Sequence, residues 1–413
     1  MILSKKIFLC IFSIFPIIDV LNGIATSTKG FEELGLLYRL ICLIFIFMTL
    51  LVTGVSLNRF SKIVIIITLL SFLSINISSI VLGGNPHEWV YDITVLTKYF
   101  LWLIIPLYTQ QLSTVFTLED FHTLFIWISL FLVLGLLIPF SLGLGYATYE
   151  VSDVGFKGFY LANNDISIAF IACTVILAKI SMKNQYLKKP ILSLLLTMLF
   201  VASIFCMILL GTKICLFVSI ILVIYRFTSP LVNYKLKKQL KIKYIIGILV
   251  LINSLFLWKD QLINRVREVL SRIRFFFILF NGDVISVFFS SRNIFFQVGW
   301  IEFIKSSNVL LYLFGYGFSY RLKEWGVGNY IEIDFFDLLF SLGILGVTIN
   351  LLYIFLLINL VRNRRTIYFY AFIVLLVYSM LAGHVFFSGI STTILGLINS
   401  AMLVPTNQKK GDR

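Results

Sequence analysis

Charge is what this chain has least of. Only 13% of its 413 residues are Asp, Glu, Lys or Arg, while 60% are apolar and the mean hydropathy is +1.00. Such a composition excludes a water-soluble domain of this length. Acids are scarcer than bases, 19 against 34, which leaves a net charge of +15. In so apolar a chain that excess points to loops holding Lys and Arg on one side of a bilayer, not to nucleic acid. Histidine occurs three times, at His87, His122 and His384. None lies in the long polar loop described below, so neither a Ser-His-Asp arrangement nor a histidine-rich metal site can be built there. The five cysteines (Cys10, Cys42, Cys173, Cys206, Cys215) sit in or at the ends of apolar runs without a CxxC. A disulfide framework and a thiolate metal site are both unsupported. No internal repeat is evident, which argues against transporter folds built from duplicated halves.

What the chain does have is a succession of apolar segments of about bilayer length. Twelve can be counted, at 7–24, 36–56, 63–82, 91–108, 120–140, 161–179, 190–209, 213–227, 243–258, 335–358, 367–385 and 389–404. The first has the basic start and apolar run of a signal peptide and is read as a retained span. With the N-terminus inside, the basic residues fall on one side. Inside are Lys5, Lys6, Arg59, Lys62, Lys179, Lys183, Lys188, Lys189, Arg226, the group Lys235 to Lys243, Arg362, Arg364, Arg365 and the C-terminal Lys409, Lys410 and Arg413. The short outer loops carry few basic residues: Lys29, Arg39, Lys157 and Lys213. This bias predicts an all-α polytopic membrane protein of about 12 transmembrane helices, a single integral membrane domain over 1–413 with both termini cytoplasmic. Phe275–Phe289 is aromatic-rich but interrupted by Asn281, Gly282 and Asp283, so it is left in the loop.

The one long hydrophilic stretch, 259–334, joins spans nine and ten and is expected on the outer side. Its start, NRVREVLSRIRFFFILF, has apolar residues at helical spacing and arginines seven apart, an amphipathic helix for the outer leaflet. Arg265, Arg267, Arg272, Arg274 and Arg292 stand where topology does not require them. Their planar forks suit phosphate oxygens, although the first four also fit plain headgroup anchoring. Arg292 follows Ser290–Ser291 and opens a second helical run. At the far end, NYIEIDFFDLLFSLGILG carries Glu332, Asp334 and Asp337. Asp334 is a natural helix N-cap, and Asp337 faces the same helix dipole. Glu332 has no capping role, and at a dry boundary its pKa would rise towards that of a general base. The spacing of the three acids is no known metal motif. Elsewhere, Asp19 and Lys98 lie within spans and could pair. Lys213, in the GTK hairpin, reaches headgroups or phosphate. Asn163 and Asn164 are candidates for a helix cap or a sugar ligand.

These features together resemble the O-antigen polymerase and ligase superfamily. The resemblance rests on the twelve-span layout, the long outer loop, the Ser291–Arg292 helix start, the Phe314–Gly315–Tyr316–Gly317 turn and IEIDFFDLLFSLGILG. The ANND of 162–165 and the Thr212–Lys213 hairpin are similar too, though the hairpin is often Ser-Arg in that family. In residues the likeness is strong from about Ser290 to Gly346. The ligases typically carry a His eleven residues before the first Gly of a GxxG. Here that position, counted back from Gly343, is Glu332, which is more similar to the Wzy-type repeat-unit polymerases. The resemblance implies a glycosyltransferase of the bacterial plasma membrane that joins undecaprenyl-pyrophosphate-linked repeat units into O-antigen or capsular polysaccharide. Glu332, Asp334 and Arg292 would then be catalytic. Arg265, Arg272, Lys213, Lys98, Asn164 and Asp337 would bind pyrophosphate or glycan, without cofactor or metal. The bilayer, and a chain-length regulator and flippase of the same pathway, are the implied partners. A ligase passing glycan to lipid A core and a lipid-linked oligosaccharide flippase are the alternatives.

Overall fold

The structure is a computed structural model. It describes residues 1–28, 33–54, 57–149, 154–183, 186, 189–232, 263, 267, 270, 271, 274–361 and 363–404, the last residues up to 232 by backbone alone. Among these residues the only strand-like pairings are two isolated bridges, Tyr146 with Gly158 and Tyr149 with Val154. The chain is an all-α polytopic membrane protein. Among the described residues eight helices are long and apolar enough to cross a bilayer: α1 (Ile2–Ser27), α2 (Leu34–Thr53), α3 (Arg59–Leu82), α4 (Pro86–Gln111), α5 (Leu118–Ser141), α6 (Asn163–Ile180), α7 (Pro190–Leu210) and a later one, Asp334–Leu360. Span 213–227 falls in α8 (Lys213–Val232), and span 243–258 lies outside the described residues.

By internal contacts the chain forms two compact units, Met1–Leu124 with Asp283–Arg413, and Phe125–Gly282. In the second unit α6 packs on α7 and α8, which also pack on each other. Its last residues, 274–279, are helical and end at Asn281 (φ 49°) and Gly282 (φ 80°). The polar triplet Asn281–Gly282–Asp283 therefore does interrupt the aromatic run. The amphipathic helix expected just before it falls largely outside the described residues.

The first unit carries the Arg292–Glu332 region. After Asp283 come α9 (Val284–Phe289), α10 (Arg292–Lys305), α11 (Val309–Phe314), α12 (Phe318–Glu324), a 3-10 turn at Gly326–Gly328, α13 (Asp334–Leu360), α14 (Ile367–Leu381) and α15 (Gly389–Leu403). At fifteen residues each, α14 and α15 are shorter than the ~20 residues that a simple span needs. Burial explains why α15 can be short: its residues 389–402 are buried along the whole helix, mostly against α4. Thr392, Gly396 and Ser400, four apart, present small side chains. A Cβ at Gly396 would come to 3.0 Å from the Leu101 carbonyl oxygen of α4. The α4 helix starts cleanly because Asn85 and Glu88 form a reciprocal capping box with Pro86 in the first turn.

The helix α13 is broken. Gly343 sits at φ 68°, ψ −169°, a conformation open essentially to glycine alone. The break frees carbonyl groups that lipid could not satisfy. Tyr316 N–H donates to the Phe340 carbonyl (2.9 Å) and Gly317 N–H to that of Ser341 (3.0 Å). From α3, the Ser78 hydroxyl donates to the Gly315 carbonyl at 2.7 Å. The stretch read as a polar outer loop is thus docked on the first half of α13. An aromatic core of Phe303, Tyr316, Trp325 and Phe340, with Leu311 and Ile331, holds it there.

Candidate functional site

The site grows from two buried carboxylates that shape the backbone around a third. Asp337 lies one turn into α13 and is 3% exposed. Its Oδ1 accepts from Ile331 N–H (3.0 Å) and from Arg321 Nη2 (2.7 Å), and its Oδ2 accepts from Glu332 N–H (3.0 Å). Arg321, on α12, is fully buried and also donates to the Asp337 carbonyl and the Ser341 hydroxyl. Its guanidinium faces the rings of Trp325, Tyr330 and Phe340 at 5.3–5.8 Å. Arg321 is in turn set by the start of α12, where Phe318 N–H, Ser319 N–H and the Ser319 hydroxyl all donate to Asp92 of α4.

Asp334 is also buried, at 1% exposure, and accepts from Val385 N–H at 2.8 Å. This ties the start of α13 to the turn between α14 and α15. Gly383 in that turn has φ 62°, and a Cβ there would lie 2.5 Å from the Glu332 carbonyl carbon. The two backbones therefore touch.

Held in this way, Glu332 projects a half-buried carboxylate. Arg292 Nη2 donates to its Oε2 at 2.5 Å, and His384 Nε2 stands 3.6 Å from its Oε1. Arg292, the first residue of α10, is 9% exposed. Besides Glu332 it donates to the Phe289 carbonyl (3.2 Å) and the Ala382 carbonyl (3.4 Å). Burial by itself pushes the Glu332 carboxyl up. The facing His384 ring and the charge and hydrogen bond of Arg292 outweigh it, and the pKa falls to about 2. The raised pKa expected for Glu332 is therefore corrected, because Arg292 and His384, which face it, come from elements remote in sequence.

Backbone strain marks the same place. Among the described residues five non-glycine residues have positive φ: Asn281, Ser290, Ser291, Glu332 and His384. Four of them are the two serines leading into Arg292 and the Glu332–His384 pair itself. Left-handed backbone in residues other than glycine is costly and persists where surrounding structure enforces it.

The other sequence candidates are distributed differently. Asp334 is the first helical residue, not the N-cap; Ile333 takes that position and offers no side-chain cap. Asp337, read as a substrate ligand, instead has both oxygens occupied by the chain's own donors. Asp19 pairs with Arg39, at 2.7 Å, and not mainly with Lys98, whose electrostatic attraction to the same carboxylate ranks below that of Arg39. The guanidinium is presented from the adjoining helix α2, where it packs over Gly389. Lys213 and Asn164 belong to the second unit. Lys213 begins α8 with its ammonium 5.7 Å from the Phe276 ring centre. The cap of α6 is Ala162, so neither asparagine caps it; Asn163 donates to the Thr148 carbonyl, and Asn164 is half-buried in the first turn. Arg267 and Arg274 are exposed, whereas Arg265 and Arg272 lie outside the described residues.

Sequence reading takes His384, at the outer end of the eleventh span, as a buried polar residue, whereas its side chain is 31% exposed and faces Glu332; it passes over Arg321 and Asp92. The Tyr316–Gly317 turn was a visible signal near Arg321, but nothing local to Gly383–His384 marks it. No protein-family model, curated protein or solved structure matches this chain.

Proposed function

We propose that the chain is a polysaccharide repeat-unit polymerase of the bacterial plasma membrane. It transfers a growing glycan from undecaprenyl pyrophosphate to the terminal sugar of an incoming lipid-linked repeat unit. The chain crosses the bilayer about twelve times with both termini in the cytoplasm, so that Arg292 and Glu332 work on the outer side. The resemblance of residues 290–346 to this family motivates the reading, and the Arg292–Glu332–His384 cluster carries it. That cluster joins a fixed guanidinium fork to two partly exposed groups, where four of the five left-handed non-glycine residues among the described ones gather.

In this reaction the bond from the anomeric carbon to the pyrophosphate oxygen breaks, and charge grows on the leaving oxygens. Arg292 meets that charge with a cation already desolvated and already aimed. Glu332 stays ionised, holding Arg292 and the acceptor side of the site in register. Asp334 and Asp337 act through backbone, fixing the turns that present Glu332 and His384. The test is a strain lacking the gene, complemented with wild type or Arg292→Ala. Wild type restores long-chain polymer, whereas Arg292→Ala leaves single repeat units on the final acceptor. Unchanged long chains with Arg292→Ala would sink the assignment.

A ligase is the second reading, favoured by one observation: His384 supplies, from another element, a side chain of the type the ligases keep at the Glu332 position. The same strain separates the two. Loss of a ligase leaves no repeat unit on the final acceptor, in place of one.

A further inference from the structure

Glycosyl transfer to a hydroxyl needs somewhere for the hydroxyl proton to go, and the acids of this site are poorly placed to receive it. Asp334 and Asp337 are 1% and 3% exposed and are engaged with backbone N–H groups or Arg321. Glu332 is reachable, with 35% of its side chain exposed, but a carboxylate bonded to the Arg292 guanidinium at 2.5 Å is held ionised and has little affinity for a proton. The remaining reachable group is His384, 31% exposed and 3.6 Å from Glu332.

Resting on the glycosyl-transfer reading above, we propose that His384 is the proton acceptor of the reaction and that Glu332 orients its ring and stabilises the imidazolium that forms. A neutral imidazole donating from Nε2 to Glu332 carries its lone pair on Nδ1. The hydroxyl O–H bond breaks and its proton passes to that lone pair. The hydroxyl oxygen bonds to the anomeric carbon, and the electron pair of the broken carbon–oxygen bond leaves on pyrophosphate, opposite Arg292. The imidazolium then returns its proton to water at its exposed edge. Glu332 serves a base better as an ionised partner than it would serve as the base itself.

The backbone argues for this histidine in particular. His384 is held at φ 62°, a conformation more comfortable for Gly or Asn. Three contacts enforce it: Gly383 lies on the Glu332 backbone, Val385 N–H donates to Asp334, and the Ser391 hydroxyl donates to the His384 carbonyl. Strain maintained from three directions delivers a titratable ring to the pair with Glu332. An ion pair needed only for packing would be served by a buried ring without it.

The test uses the full chain in the complemented deletion strain. His384→Asn keeps the left-handed turn and removes the proton acceptor. It should reach wild-type membrane levels and still lower long-chain polymer at least ~100-fold, the lower range for loss of a general base. Wild-type output should fall as the medium is acidified, because protonation of the ring removes the acceptor, while the residual output of His384→Asn stays flat. The charged and titratable groups facing His384 are Glu332, just before α13, Asp334 at its start and Arg292 of α10, with Arg39 of α2 over Gly389 five residues on. If His384→Asn does not accumulate, His384→Gly, free of strain at this φ, is assayed with imidazole in the medium, and recovery of polymer supports the assignment. Wild-type polymer from His384→Asn, an unaltered acid profile, or no imidazole recovery in an accumulated His384→Gly would overturn it. Those results leave the polymerase reading standing, since the strain still depends on the wild-type gene. A deletion strain with normal polymer would overturn both.

Discussion

At Glu332 two forces act in opposite directions, and the charges win. Burial favours the neutral acid, yet Arg292 and His384 bring its pKa from 4.5 to about 2. A depressed carboxyl contributes stability that is complete above its unfolded value and is lost as pH falls through the folded one. The sign gives a clear expectation. Between pH 4.5 and about 2 the wild-type protein should lose thermal stability faster than Glu332→Gln, as read by unfolding scans in detergent. Parallel curves would mean that the pair contributes nothing. Asp337 predicts a different loss. Asp337→Ala strands the buried Arg321 and releases the N–H groups that set Glu332, so it should cost about 3–5 kcal/mol, the usual range for breaking a buried pair. Removing both partners, in Asp337→Ala with Arg321→Met, should recover part of it. The acids of this segment were legible as a group in the sequence, but their division of labour was not. Spacing alone cannot say which carboxylate meets a guanidinium folded back from sixteen residues upstream.

The elements that matter most are the break in α13 and the turn that fills it. Gly315 and Gly343 face each other so closely that a Cβ on Gly343 would lie 2.3 Å from the Leu313 carbonyl oxygen. Gly343→Ala should therefore cost more than the ~1–3 kcal/mol of the backbone conformation alone and deplete folded protein from membranes. Gly326→Ala makes the control: its φ is 52° and nothing lies within 4 Å of the added carbon, so folded yield should fall far less. Equal yields from the two variants would remove the packing argument. The Gly343–Gly346 pair was visible in the sequence, and so was Phe314–Gly315–Tyr316–Gly317. That one completes the hydrogen bonding of the other is a tertiary fact, since 24 residues separate the Tyr316 and Gly317 donors from the Phe340 and Ser341 carbonyls they meet.

For the whole molecule, the proposed topology places α12 outside the cell and the α13–α14 loop inside. In a background with Cys10→Ser, Lys323→Cys should react with a membrane-impermeant maleimide in intact cells, its side chain being 63% exposed. Arg364→Cys should react only after permeabilisation. The reverse pattern would invert the topology and remove the outer-side reading of the site.

Membrane class and helical content were determined by the sequence itself, because hydropathy is a local property that survives without knowledge of neighbours. Most helix positions follow for the same reason: Asn85 and Pro86 start α4 wherever α4 packs. Tertiary structure decided which polar groups meet. Arg292, Glu332 and His384 lie 40 and 52 residues apart along the chain, and their chemistry exists only once α10, the entry to α13 and the turn before α15 are folded together. Charge was the scarcest thing in this sequence, and each buried charge had to find its partner across the fold, since a bilayer interior offers no water to take the partner's place.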